Sequence, residues 1–171
     1  GLFMGADMES ILGGYQDPRI AKYWNTSKIT PGEYKGVRTG IVYPSGSTYS
    51  KFSQTGPRTK TGEITWMSTA EVYFLRAEGA LRGWNMGGTA KDLYEAGIKA
   101  SFEQNGVEGA AAYSTDNTKL PKDYIDPLNP ANNAQAISKI TVAWGTDKEK
   151  NLEKIITQKW IATYPDGQEA W

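Results

Sequence analysis

Glu71 and Glu78 are the acids whose spacing first invites a chemical reading, since both fall on one stretch of helical periodicity. Hydrolysis of a glycosidic bond needs two carboxyl groups facing each other across about 5–10 Å. Here Glu71 stands in the third position after Ser68, where it serves a helix start, and Glu78 is spaced i,i+4 from Arg82. Asp116, Asp123 and Asp126 gather in a polar stretch and could approach a cation. They lack the spacing and the Gly and Glu markers of a calcium loop, so a solvated loop is the plainer reading. The chain contains neither His nor Cys. That excludes Ser-His-Asp and Cys-His triads, thiolate nucleophiles and imidazole metal ligands. Gly83-Trp84-Asn85-Met86-Gly87-Gly88 has neither the strand nor the Lys of a phosphate loop and is read as a turn. No metal and no cofactor is expected, and the residues point away from an enzyme.

Charge narrows the partners. The 19 basic and 19 acidic residues cancel, and no Lys/Arg cluster stands out, so a nucleic-acid partner is not expected. With 39% hydrophobic residues over 171 positions, the chain can bury a core without disulfides. There is no basic, then apolar leader and no apolar run long enough to span a bilayer. The opening Gly1-Leu2-Phe3-Met4 and the end at Trp171 suggest a piece of a longer protein.

The elements divide near Trp66. Residues 1–65 form a loop-rich segment with short helices, and residues 66–171 a helical segment, both belonging to one larger domain. In the first, residues 6–12 are a short helix closed by Gly13-Gly14, and Asp17-Pro18 begins another. Two short strands are expected around 40–43 and 49–53, joined through Pro44-Ser45-Gly46-Ser47. In the second, Ser68 with Glu71 and Thr89 with Asp92 are capping boxes that open two helices. The turn over 83–88 joins them into a hairpin covering 68–105, and Asn105-Gly106 closes it. Gly79, Ala80, Gly97 and Ala100 let the helices approach, with Tyr73, Tyr94 and Phe102 beside them. This is a tetratricopeptide-like unit, which needs neighbours to bury both faces. A further helix is expected from Asn129-Pro130 through Trp144, and a last one from Thr146, with Leu152, Ile155, Ile156 and Trp160 inward. Trp66, Trp144 and Trp160 are read as core, and Trp84 as packed in the turn.

Several segments resemble the SusD/RagB family, in the same order along nearly the whole chain. They are Gly14-Tyr15-Gln16-Asp17-Pro18-Arg19, the run from Ser68 to Glu78, Leu81-Arg82-Gly83-Trp84, the run from Leu93 to Ser101, and Glu153 to Trp160. The resemblance implies a mainly α fold: a tetratricopeptide-like hairpin within an α/α superhelix, supporting an irregular, loop-rich part. It also implies a surface-exposed, lipid-anchored lipoprotein of the Bacteroidetes outer membrane. Such a protein captures polysaccharide or oligosaccharide without catalysis and delivers it to a TonB-dependent, SusC-like transporter. Membrane contact would then run only through a lipid anchor outside this chain.

Under that expectation the ligand site should show flat aromatic rings in a polar, glycine-rich loop, with forked polar side chains near them. Tyr34, Tyr43 and Tyr49 meet this description, with Arg38 and Gln54 as polar partners. Each tyrosine has a structural alternative, packing against the helices with its hydroxyl bonded. Tyr49-Ser50-Lys51-Phe52-Ser53 looks typical of the family, which favours that alternative at Tyr49. The competing function is a helical module that docks on the transporter without glycan affinity of its own.

Overall fold

The computed structural model describes residues 2–42, 45, 47–61 and 65–166. The chain forms two compact units: Gly1–Gly62 with Lys119–Lys139, and Glu63–Thr118 with Ile140–Trp171.

In the first unit, α1 (Ala6–Tyr15) buries Met8, Ile11, Leu12 and Tyr15. It does not stop at Gly13-Gly14 as the glycines imply, but runs on to Tyr15 and ends at Gln16, which takes φ 53°. The glycines serve packing instead. A Cβ on Gly14 would lie 2.2 Å from the carbonyl oxygen of Leu120, so the segment 120–122 crosses the helix backbone directly. The short α2 (Ile20–Tyr23) follows an Asx turn, with Asp17 Oδ1 accepting the Arg19 N–H at 2.9 Å. The single-turn α3 (Pro57–Thr61) follows later in this unit.

Neither expected strand is present among the described residues; Tyr43, Pro44 and Gly46 lie outside them. Over 47–52 the backbone turns on itself, with Ser50 N–H donating to Ser47 O at 3.2 Å and Phe52 N–H to Tyr49 O at 3.0 Å. These turn bonds use the backbone donors that a strand ladder would need, and the hydroxyl of Ser45 meets those of Ser47 and Thr48. Among the described residues strand pairing occurs as isolated bridges, such as Phe3 with Gln54 and Gly5 with Val37.

In the second unit the hairpin forms as its caps dictate. Ser68 Oγ accepts the Glu71 N–H at 3.1 Å and Thr89 Oγ1 accepts the Asp92 N–H at 3.1 Å, opening α4 (Thr69–Leu81) and α5 (Ala90–Gln104). Gly97 lets the ring of Phe74 rest on α5, because a Cβ there would sit 2.7 Å from Phe74 Cε1. Phe74 and Tyr94 then meet with ring centroids 6.2 Å apart. A short helix, α6 (Ala110–Ser114), interrupts the polar connector.

The helix expected over 129–144 does not form. Asn129 caps only a 3-10 turn, Pro130–Asn132. Beyond it Ala134 pairs with Tyr124 across an antiparallel bridge, and Asp123 Oδ1 takes the Ala136 N–H at 2.9 Å. Side-chain acceptors thus occupy the donors that a helix would have used. The last helix, α7 (Lys148–Ala162), is capped by Asp147 rather than Thr146, with Oδ1 accepting the Lys150 N–H at 3.0 Å. Its buried face is Asn151, Lys154, Ile155, Gln158 and Ile161, while Ile156 stays 46% exposed. The inward polar residues reach specific partners. Asn151 exchanges bonds with both backbone groups of Gly145, Lys154 donates to the Ala143 carbonyl, and Gln158 donates to the Tyr113 hydroxyl. Trp144 is half-buried against Tyr94, at 5.3 Å between ring centroids, and Trp160 is half-buried. Trp66 is not core at all: it is 94% exposed.

Candidate functional site

Two polar groupings organise the first unit, and the sequence-derived candidates divide between them. The first is built on α1. Glu9 is almost wholly buried; its Oε2 accepts the Gly36 N–H at 2.7 Å and its Oε1 lies 3.3 Å from Lys35 Nζ. Lys35 bridges onward to Glu33 at 3.2 Å, and Lys122 stands 3.7 Å from Glu9 Oε1. The result is a row of alternating charges, Lys122–Glu9–Lys35–Glu33. Burial works against the Lys35 ammonium, but Glu9 and Glu33 outweigh it and hold its pKa above the usual lysine value. Tyr34 sits at this row, half-buried, in a cleft of about 220 Å³ lined also by Gly13 and Ile20. Burial raises the pKa of its phenol.

The second grouping centres on Asp126. Its Oδ2 accepts the Tyr49 hydroxyl at 3.0 Å and Asn132 Nδ2 at 2.8 Å, and its Oδ1 accepts the Leu128 N–H at 2.8 Å. Burial opposes the charge, but these bonds prevail and keep the carboxyl below its usual pKa. Tyr49 is 2% exposed, so its ring is closed to any ligand and acts as an anchor. Arg38 is exposed and reaches the Asn132 and Asn133 carbonyls at 3.4 Å. Tyr124 joins the two groupings by donating to the Gly36 carbonyl at 2.8 Å. Its burial, then Asp126 and Glu9, push its pKa far above the ordinary phenol value.

The structure therefore brings Arg38 and Tyr49 together through Asn132, and places Tyr34 in a separate cleft. Gln54 is exposed, and its side chain donates to the Ser50 carbonyl at 3.2 Å. Tyr43 lies outside the described residues. Glu9, Glu33 and Lys122 escape sequence reasoning, because no motif ties a helix glutamate to a lysine over a hundred positions later. Trp66 was hidden by its place at the edge of a helical stripe. The acids Asp116, Asp123 and Asp126 act separately as backbone or hydroxyl acceptors.

These shifts give opposite pH responses in the two units. Tyr34 and Tyr124 have raised folded-state values, so the stability they contribute is complete below the unfolded phenol value of about 10 and is lost as pH climbs past it. Lys154, lowered by burial and then by Lys150, binds its proton less readily folded than unfolded, so its contribution improves as pH rises toward the lysine range. Thermal melts from about pH 8 to 11 should show a falling melting temperature above about pH 10. That fall should be smaller in Tyr124→Phe. An equal fall in the variant would assign the effect to other groups.

No curated protein matches the chain. Among solved structures, a chitin-binding SusD homolog from Flavobacterium johnsoniae is 61% identical, with a TM-score of 0.96 over 99% of this chain and 36% of that one. A SusD-like protein from Bacteroides thetaiotaomicron is 45% identical, with a TM-score of 0.90 over 97% of this chain and 36% of that one. A SusD homolog from Bacteroides vulgatus is 40% identical, with a TM-score of 0.90 over 99% of this chain and 36% of that one. The chain thus spans about a third of the length of these relatives, and its mainly α fold is theirs. A family model, described as SusD and RagB outer membrane lipoprotein, matches residues 2–171. On the match along the chain and on these identities, the chain belongs to the SusD-like family of outer membrane lipoproteins.

Proposed function

We propose that this chain contributes to non-catalytic glycan capture at the bacterial surface, for delivery to a TonB-dependent transporter, and that polymers of β-linked N-acetylglucosamine are its ligand class. The observation that carries this reading is the Tyr34 cleft. A half-buried aromatic ring stands there beside alternating ammonium and carboxylate groups, in a space of about 220 Å³. The ring offers an apolar face to sugar C–H groups, and the charged row offers both donors and acceptors to hydroxyls and amides. No net charge accumulates along the row, which suits a neutral sugar. The ligand class is supported by the 61% identical relative described as chitin-binding. Arg38, Gln54 and Tyr43 belong to the same loop-rich part and are the further contacts to examine, whereas Tyr49 holds the frame through Asp126.

Retention of the chain on insoluble chitin tests the reading. Tyr34→Ala should weaken retention about tenfold, the size of an aromatic contact of about 1.4 kcal/mol. Undiminished retention would remove Tyr34 from the site while leaving glycan capture standing. A chain held by no polysaccharide, yet co-purifying with a transporter, would instead favour the docking module. The exposed Ile125, Leu128 and Ile137 are the residues that reading would use.

A further inference from the structure

Lys122 reaches the Tyr34 cleft from a segment distant in sequence, and its backbone is fixed there at both polar groups. Its N–H donates to the Ser10 carbonyl at 3.0 Å, and its own carbonyl accepts the Ser10 hydroxyl. The side chain then lies across α1 at the bare Gly13, where a Cβ would stand 2.8 Å from Cε and 3.0 Å from Nζ. Its ammonium rests 3.7 Å from Oε1 of the buried Glu9. A cation seated in this way loses little freedom when a ligand meets it.

The two lysines of the charged row differ in the donors that remain to them. Lys35 has a side chain only 13% exposed and stands 3.3 Å from Glu9 and 3.2 Å from Glu33, so its donors are directed to carboxylates. Lys122 lines the cleft with its side chain 46% exposed, and its 3.7 Å from Glu9 is an ion-pair separation too long for a hydrogen bond. Among the described residues no acceptor takes its N–H groups. An ammonium donates and cannot accept, so it singles out ligand groups that only accept. A sugar hydroxyl does both and is met as well by the Glu33 carboxylate, whereas an amide carbonyl only accepts. A net anion is not favoured, because Glu9 and Glu33 balance Lys35 and Lys122. We propose that Lys122 is the specificity-determining residue of the cleft, donating to the acetamido carbonyl of a sugar whose ring lies on Tyr34. This rests on the glycan reading above and adds the group by which an N-acetylated polymer is told from its deacetylated form. In the deacetylated form an amine replaces the amide, and once protonated it sets one ammonium against another.

Paired retention on insoluble chitin and on chitosan tests this for the unchanged chain and Lys122→Met, at a mildly acid pH that protonates the chitosan amines. Methionine keeps a stem across Gly13 and removes the donors, while Glu9 keeps Lys35 and the Gly36 N–H. Retention of Lys122→Met on chitin should fall about tenfold, as the loss of a charge-assisted bond implies, and its retention on chitosan should rise. Undiminished retention on chitin would overturn the proposal. So would parallel losses on both polymers, the mark of a structural role. Should the variant fail to fold, elution of the unchanged chain from chitin decides. A soluble N-acetylated oligomer should release it at a concentration about tenfold lower than the deacetylated oligomer, and equal concentrations would overturn the proposal. An unchanged chain held by neither polymer removes the reading of the preceding section and this one with it. Retention on chitin that Lys122→Met leaves unmoved removes this one alone.

Discussion

Replacing Arg19 by alanine is expected to destabilise the first unit by about 3–5 kcal/mol, a large part of the roughly 5–15 kcal/mol that holds an ordinary domain folded. Arg19 and Asp17 are both fully buried, with Nη2 and Oδ2 2.6 Å apart. Asp17 also accepts the backbone N–H of Arg19 at 2.9 Å and its Nε at 3.0 Å, so one carboxylate receives a forked guanidinium and closes the turn before α2. Removing the guanidinium strands a carboxylate away from water, and that desolvation accounts for most of the loss. The surface pair Arg82–Glu78 is the control. Its bond is equally short at 2.7 Å, yet the side chains are 50% and 31% exposed, so Arg82→Ala should cost no more than about 1 kcal/mol. Denaturant unfolding of both variants measures the contrast. Equal small losses would mean that water reaches the Asp17 carboxylate.

The second large effect is at Gly14, where two rules predict opposite signs. Helix propensity alone says that Gly14→Ala should stabilise α1 by about 1 kcal/mol. Packing says otherwise. The new Cβ would fall 2.2 Å from Leu120 O, 2.6 Å from Lys122 N and 2.6 Å from Pro121 Cα, all of them backbone. The crossing segment must move, straining the bond from Lys122 N–H to Ser10 O at 3.0 Å and the one from Ser10 Oγ to Lys122 O. Overpacking of this kind costs about 1–3 kcal/mol, so a net loss is expected. The neighbouring Gly13 separates the causes. There a Cβ would meet only the Lys122 side chain, at 2.8 Å from Cε, and that flexible end can swing away. Gly13→Ala should therefore keep the propensity gain and stabilise α1 by up to about 1 kcal/mol, opposite in sign to Gly14→Ala. Because Lys122 lines the Tyr34 cleft, Gly14→Ala should also weaken glycan retention.

What could be read in advance follows from the range of the interactions. The hairpin was legible because its determinants are local: Ser68 with Glu71 and Thr89 with Asp92 specify helix starts within one turn. Gly97 marked the close approach of the two helices correctly, whereas Gly79 packs against Trp84 and Met86 of the turn rather than against α5. The same local logic misled where distant groups compete for the backbone. Residues 129–144 carry apolar spacing suited to a helix, but Asp126 takes the Asn129 N–H, Asp123 that of Ala136, and the Tyr124 bridge that of Ala134. On α7, apolar residues alone pointed to Ile156 and Trp160. The face was decided instead by Asn151, Lys154 and Gln158 reaching groups elsewhere in the unit.

By itself, then, the sequence determined the paired helices of 68–105, the lack of imidazole and thiol chemistry, and a resemblance spread along the whole chain. Those features depend on residue type and short spacing. Only the tertiary structure decided that residues 119–139 return to the first unit and bring Lys122 to Glu9 and Asp126 to Tyr49. It also decided that Tyr49 is closed while Trp66 and Trp84 are open. Exposure is a property of what packs on a residue, and no periodicity within its own element reports that.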